Sequence, residues 1–239
     1  MAEFNQRREL IVAIDGPSGV GKSTLSRRLA ERLDYLNIDT GAMYRSVALA
    51  ALRNGIRVDD AVGLESLCGS LEIDFRRCEG DLRVFLNGED VSEPIRTPEV
   101  SLLTARVAAV AAVRQALVEQ QRRLGAGGGV VLEGRDIGSV VFPDAEVKIF
   151  LQATTEERGR RRYLELRAKG HAVDLEQTIR DVAERDRADM NRSIAPLIRA
   201  EDAVLIDTTG LDVDAVFRRM FDLVMERRRL HGLGALREN

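Results

Sequence analysis

Cysteine and histidine are scarce in this 239-residue chain, with two of each. Cys68 and Cys78 have no CxxC spacing and no histidine cluster beside them. That excludes a disulfide framework and a structural zinc site, and it fits a reducing compartment. His171 and His231 lie far apart and offer no metal-binding pair. Long apolar runs are missing too. Leu10–Ile14 stops at Asp15, too short for the apolar region of a secretion signal. Val107–Val113 is alanine-rich and far below the ~20 residues of a membrane span. There is no internal repeat and no low-complexity linker. These absences lead us to expect a cytoplasmic protein that is not held at a membrane. Lysine is nearly absent: Lys22, Lys148 and Lys169 are the only ones among 36 basic residues, and the rest are arginine. The net charge of -3 argues against a general nucleic-acid coat. The arginines offer planar forks that hold carboxylate or phosphate bidentately, which lysine cannot do.

What is present is a chain of apolar strands separated by helices. Leu10–Ile14, Tyr35–Ile38, Val130–Leu132, Val147–Leu151 and Ala203–Ile206 read as five buried strands. Lys22–Leu33, Tyr44–Arg53, Val62–Leu67, Thr155–Lys169, Glu176–Arg187 and Val213–Leu230 read as helices, and Pro98–Leu124 as one long helix. The texture changes near Leu71. Ile73, Phe75, Leu82, Val84 and Leu86 alternate with polar residues, punctuated by Glu79-Gly80-Asp81 and Asn87-Gly88. That is a small antiparallel meander, standing as an insertion. The expected fold is α/β: a five-stranded parallel sheet flanked by helices, with a small antiparallel β insert.

Gly16-Pro17-Ser18-Gly19-Val20-Gly21-Lys22-Ser23 matches GxxxxGK[ST] at every fixed position, with a strand before it and a helix after. Glycines let successive N–H groups face one anion, and the helix adds its positive N-terminal end. Lys22 would reach the outer phosphates. Ser23 would touch Mg²⁺ directly or through water. The motif implies nucleoside-triphosphate binding but not a reaction, since GTPases, kinases and motor ATPases all carry it. Asp207-Thr208-Thr209-Gly210 fits the DxxG pattern of GTPases, but no Asn-Lys-x-Asp motif exists, so it reads as a strand end and turn.

Four further segments carry candidate anion ligands. Asp39-Thr40-Gly41-Ala42-Met43-Tyr44-Arg45 follows the second strand, and Thr40 with Arg45 would bind a second phosphate or simply cap a helix. Glu133-Gly134-Arg135-Asp136 leaves the carboxyl end of a strand, where ligands sit in such sheets; a structural ion pair is the alternative. Arg158, Arg161 and Arg162 share a helical face by i, i+3, i+4 spacing, a self-repelling stack that reads as a lid over phosphates or as a solvated face. Arg185, Asp189 and Arg192 share another face. Asn191-Arg192-Ser193 is formally a glycosylation sequon, without meaning in a cytosolic protein.

With IDGPSGVGKST, DTGAMYR, NGEDVSEPIRT, EGRDIGSVVFPDA and RDRADMNRSIAPL assembled, the chain resembles the bacterial cytidylate kinases of the nucleoside monophosphate kinase superfamily, from about Leu10 to Phe217. The resemblance implies one P-loop kinase domain over 1–239. Its core would cover about 10–60, 99–153 and 171–230, with a nucleotide-binding insert over about 61–98 and an arginine-rich helical lid over about 154–170. It implies ATP and CMP or dCMP as substrates, Mg²⁺ as cofactor, and a monomer without nucleic-acid or membrane partners. By position, Gly16 to Thr24 (Gly16, Pro17, Ser18, Gly19, Val20, Gly21, Lys22, Ser23, Thr24) would hold ATP. Thr40, Tyr44, Arg45, Arg135 and Arg192 would serve the acceptor. Arg185 and Asp189 would reach the ribose, and Arg114 and Asp136 would read cytosine. Lys22, Arg158, Arg161 and Arg162 would supply catalytic charge. The family often carries a hydroxyl residue about nine positions before Arg114; here that position is Ala105, with Thr104 beside it. The chemistry fits independently: phosphoryl transfer to a phosphate needs alignment and positive charge and no strong general base.

Overall fold

Ile11–Asp15 forms β1, buried along its whole length because every residue but the last is apolar and both faces are covered. The computed structural model describes residues 8–78, 81–168, 170–192 and 194–234. The expected Glu79-Gly80 turn, Lys169 at the end of the expected Thr155–Lys169 helix and Ser193 of the sequon lie outside the described residues. The chain divides into two compact units, residues 1–36 with 127–239, and residues 37–126.

In the first unit β1 leads through the glycine loop into α1 (Lys22–Leu33) and, after a left-handed Asp34, to the start of β2 (Leu36–Asp39), whose last three residues already belong to the second unit. The chain returns as β6 (Val130–Gly134), β7 (Val147–Gln152) and β8 (Val204–Asp207), numbered after the three strands of the second unit. The five strands form a parallel sheet in the order β2-β6-β1-β7-β8. β1 is central, with Asp15 in register with Gly134 of β6 and with Phe150 of β7. One core joins Val12 and Ile14 of β1 to Leu25 and Leu29 of α1, Ile149 and Leu151 of β7, and Met220 and Val224 of α8 (Val213–Leu230). Each of these is at most a few per cent exposed, and each fully buried aliphatic side chain contributes about 1.5–3 kcal/mol. Two further helices, α6 (Thr155–Ala168) and α7 (Leu175–Met190), pack on each other. A Cβ at Gly159 would collide with Ile179, so a glycine is needed where their backbones come closest.

The second unit contains α2 (Thr40–Arg53), α3 (Ala61–Ser70), an antiparallel sheet of β3 (Ile73–Cys78), β4 (Asp81–Leu86) and β5 (Glu89–Asp90), then α4 (Pro98–Val107) and α5 (Ala111–Gly125). The meander is the one the alternation predicts: Ile73 opposes Leu86 and Phe75 opposes Val84. Asn87 and Gly88 both take positive φ, 50° and 83°, as a tight hairpin turn requires.

The single helix expected over Pro98–Leu124 is two helices, with an angle of 99° between them. The amides of Ala109 and Val110 bond three residues back, to Arg106 and Val107, which tightens and closes α4; Val110 then turns extended. No proline or glycine marks the break. Val107 and Val113 flank the break and are both fully buried. On a straight helix, residues six apart point about 120° from one another, and the bend lets both turn inward. The helix after β2 also starts earlier than expected. Asp39 accepts the Ala42 amide at 2.9 Å and caps it, which draws Thr40 and Gly41 into the first turn.

Candidate active site

β1 delivers the chain to Gly16 at the carboxyl edge of the sheet, the place where open α/β sheets bind ligands. Gly16 has a φ of 151°, and a Cβ there would collide with the Leu151 carbonyl of β7. The loop therefore lies directly on the sheet. Lys22 curls back over it, donating to the carbonyls of Gly16 and Pro17 at 2.7 Å each. Burial first, and then the charge of Arg135, holds the Lys22 ammonium well below the usual lysine range. Val20 is buried in the core, so its side chain is structural. Ser23 and Thr24 are exposed on the first turn of α1. The Ser23 hydroxyl donates to Glu133 Oε2 at 2.9 Å, and Ser26 reaches Glu133 Oε1 at 3.4 Å.

The end of β6 is tied to α7 through charge. Arg135 Nε donates to Asp189 Oδ2 at 2.8 Å, and Arg192 pairs with Asp189 Oδ1. Burial would push the Asp189 carboxyl up, but the charges of Arg135 and Arg192 outweigh it and hold it below the usual carboxylate range. Asp189 is 2% exposed and forms the hub that orients two arginines. Arg185 stands exposed on the same helix, close enough for its charge to act on both Lys22 and Asp189. Asp136 is buried, and its carbonyl accepts from the amides of Val140 and Val141.

The three arginines of α6 do not form the expected self-repelling stack, because each has its own acid. Arg158 is buried and pairs with Asp186 of α7 at 2.5 Å. It also donates to the Ser18 carbonyl of the glycine loop at 3.0 Å. Arg161 bonds Glu157 at 2.9 Å and the Thr208 hydroxyl and carbonyl at 2.9 and 2.7 Å. Arg162 is half-exposed and pairs with Glu165 at 2.8 Å.

The second unit holds the remaining expected residues. Thr40 is buried at the start of α2. Arg45 folds back over Gly41 and bonds Asp39 at 2.8 Å, while its Nε is buried without a partner. Arg114 is 3% exposed, with its guanidinium 5.6 Å from the centre of the Tyr44 ring and Nη1 3.4 Å from the Ala108 carbonyl. The bend between α4 and α5 thus seats Arg114. On α4, Ala105 is exposed and the Thr104 hydroxyl is turned back onto the Val100 carbonyl at 2.6 Å.

A family model described as cytidylate kinase matches residues 12–226. The chain belongs to the cytidylate kinase family. The reaction of that family is phosphoryl transfer from ATP to CMP, and the chain is accordingly a phosphotransferase. Relatives carrying the cytidylate kinase name include one from Syntrophotalea carbinolica, 64% identical over 93% of this chain and 95% of that protein. Another, from Geobacter sulfurreducens, is 59% identical over 93% of this chain and 96% of its own length. Among solved structures, an uncharacterized protein from Eubacterium ventriosum aligns with a TM-score of 0.51 at 11% identity, over 92% of this chain and 99% of that one. That likeness shows a shared fold alone.

Three residues gain a place at the site that no motif assigns them: Asp15, Glu133 and Asp186. Asp15 ends β1 and Glu133 is the penultimate residue of β6, and a place near a strand end was their only sequence signal. Asp186 lies one residue from Arg185 and is 5% exposed, a carboxylate whose role is visible only from its partner Arg158. Among the described residues no cluster of three or more His, Cys, Asp or Glu could hold a metal ion, and no single helix is long and apolar enough to cross a membrane.

Proposed function

We propose that the chain transfers the γ-phosphoryl group of Mg²⁺-bound ATP to CMP or dCMP, giving ADP and the diphosphate, as a cytoplasmic monomer. The observation that carries this is the concentration of positive charge at the carboxyl ends of β1 and β6. Lys22 lies in the glycine loop, while Arg135 and Arg192 converge on Asp189 with Arg185 close by. Asp189 orients Arg135 and Arg192, and Glu133 and Asp15 stand near Lys22, so the cations are held in place where anionic phosphates would arrive.

In this assignment the loop from Gly16 to Thr24 holds the ATP phosphates, and Lys22 follows the charge that develops on the transferred group. Arriving phosphates would offset the burial that now disfavours the ammonium. The donor set for a divalent cation fits Mg²⁺, which takes one or two protein oxygens and keeps several waters: the Ser23 hydroxyl and the Glu133 carboxylate stand 2.9 Å apart. When bound, the ion neutralises charge on the β- and γ-phosphates. Arg135 and Arg192, with Thr40, Tyr44 and Arg45 of the second unit, are assigned to the acceptor phosphate. Arg185 and Asp189 are assigned to the ribose, and Asp136 and Arg114 to cytosine. An ionised carboxylate accepts the amino group of cytosine and opposes the carbonyl of uracil. A nucleotide-binding insert over about 61–98 and a lid over about 154–170 belong to the same proposal. Arg162 is the lid arginine most available to phosphates, and Arg161 would first leave Thr208 and Glu157. An ADP-release assay over a panel of nucleoside monophosphates tests the reading, with CMP and dCMP expected as the best acceptors. A better rate with AMP, GMP or a non-nucleotide acceptor refutes it.

A further inference from the structure

Asp15 is the last residue of β1 and stands immediately before the glycine loop, yet both of its carboxylate oxygens are taken by the backbone that follows β6. Oδ1 accepts the Ile137 amide at 2.8 Å and Oδ2 accepts the Gly138 amide at 2.7 Å. Those two amides open the turn Ile137–Val141, and the residues directly before it are Arg135 and Asp136. The turn closes on the carbonyl of Asp136, which accepts from Val140 and Val141 at 2.9 and 3.2 Å. One buried carboxylate therefore grips, with both oxygens, the backbone from which Arg135 and Asp136 project.

We propose that Asp15 is a positioning residue for base selection, holding the turn so that Asp136 meets the cytosine edge. The proposal rests on the assignment of Asp136 to the base. It requires the carboxylate form, since a protonated acid or an amide turns one of its two acceptors into a donor facing an N–H group. The charged groups around Asp15 are Asp136 and Lys22, with Glu133 next along β6 and the Lys148 stem from β7 against Gly138. Burial pushes the Asp15 carboxyl up to about 6, with the Gly138 and Ile137 amides working against that rise. The grip is thus expected to weaken within an accessible pH range.

The test compares kcat/KM for CMP and for UMP, in the wild type and in Asp15→Asn, between about pH 5.5 and about pH 7.5. Both substrates carry the same phosphate, which titrates near 6, so its ionisation cancels in the ratio. The wild-type ratio of CMP to UMP is expected to fall roughly fourfold toward the acid end. Asp15→Asn is expected to show a low ratio that no longer depends on pH, with KM for CMP raised about tenfold and KM for ATP within about twofold of wild type. A flat wild-type ratio overturns the proposal, as does an Asn variant that keeps either the wild-type ratio or its pH dependence. An equal rise in KM for ATP overturns it as well, because Asp15 would then act on the glycine loop. Should the Asn variant fail to fold, the wild-type profile alone decides. Failure of the underlying assignment shows separately, as an unchanged ratio in Asp136→Asn.

Discussion

Arg158→Ala should destabilise the first unit far more than Arg162→Ala, although the two residues lie one helical turn apart. Arg158 and Asp186 are 2.5 Å apart with side chains 5% and 7% exposed. The pair runs through Asp186 Oδ2, while Oδ1 is buried without a hydrogen-bond partner, so removing the guanidinium leaves a carboxylate stranded away from water. Breaking one side of such a pair costs about 3–5 kcal/mol. For a unit of this size each kcal/mol moves the melting temperature by about 2–4 °C, so a drop on the order of 10 °C is expected. Arg162 and Glu165 are 44% and 46% exposed, and such a pair is worth less than about 1 kcal/mol. The glycine loop should also feel the loss, because Arg158 holds the Ser18 carbonyl, and KM for ATP should rise. Thermal melts followed by circular dichroism, with ATP kinetics at a temperature where both variants are folded, measure each part. The apolar double variant Arg158→Met with Asp186→Leu should recover most of the stability, since it removes both buried charges together. A melting temperature for Arg158→Ala within about 2 °C of wild type refutes the reasoning, and so does a drop of equal size in Arg162→Ala.

Lys22→Ala should leave a folded protein whose kcat is lower by on the order of 10³-fold, because its charge matters most in the transition state; activity retained within about tenfold, measured by ADP release, removes it from that role. Asp136→Asn should lower kcat/KM for CMP and bring the CMP-to-UMP ratio toward one, since the amide offers a donor to uracil without a change of size. Equal losses on both nucleotides would move base recognition elsewhere. Glu133→Gln should raise the half-saturating Mg²⁺ concentration by about tenfold, as loss of a group beside a metal ligand commonly does. A titration of activity against free Mg²⁺ that superimposes on wild type would detach Glu133 from the cation. Arg162→Ala should lower kcat while the dissociation constant for CMP, measured by calorimetry, stays nearly unchanged.

The glycine loop, the five strands and the β insert were legible in the residues because each depends on local rules. A GxxxxGK[ST] segment between an apolar run and a periodic helix has few other uses, and Asn87-Gly88 between alternating strands dictates a hairpin. The positions of Lys22 at the start of α1 and of Arg135 and Asp136 just after β6 follow from the same local pattern. Their partners do not. Asp15 meets Ile137 and Gly138 across more than a hundred residues of sequence, Glu133 meets Ser23 across a similar distance, and Arg158 meets Ser18. The order of parallel strands decides these contacts, because neighbours in the sheet are remote in the chain. The break between α4 and α5 belongs to the same class: local propensity favours one continuous helix over that alanine-rich stretch, and the bend that buries both Val107 and Val113 is set by packing. Spacing placed Arg158, Arg161 and Arg162 on one face; Arg161 and Arg162 find acids on their own helix, Glu157 and Glu165, and only tertiary packing gave Arg158 its partner Asp186. A helical wheel records direction from the axis, whereas the neighbouring helix and the glycine loop determine what each direction meets.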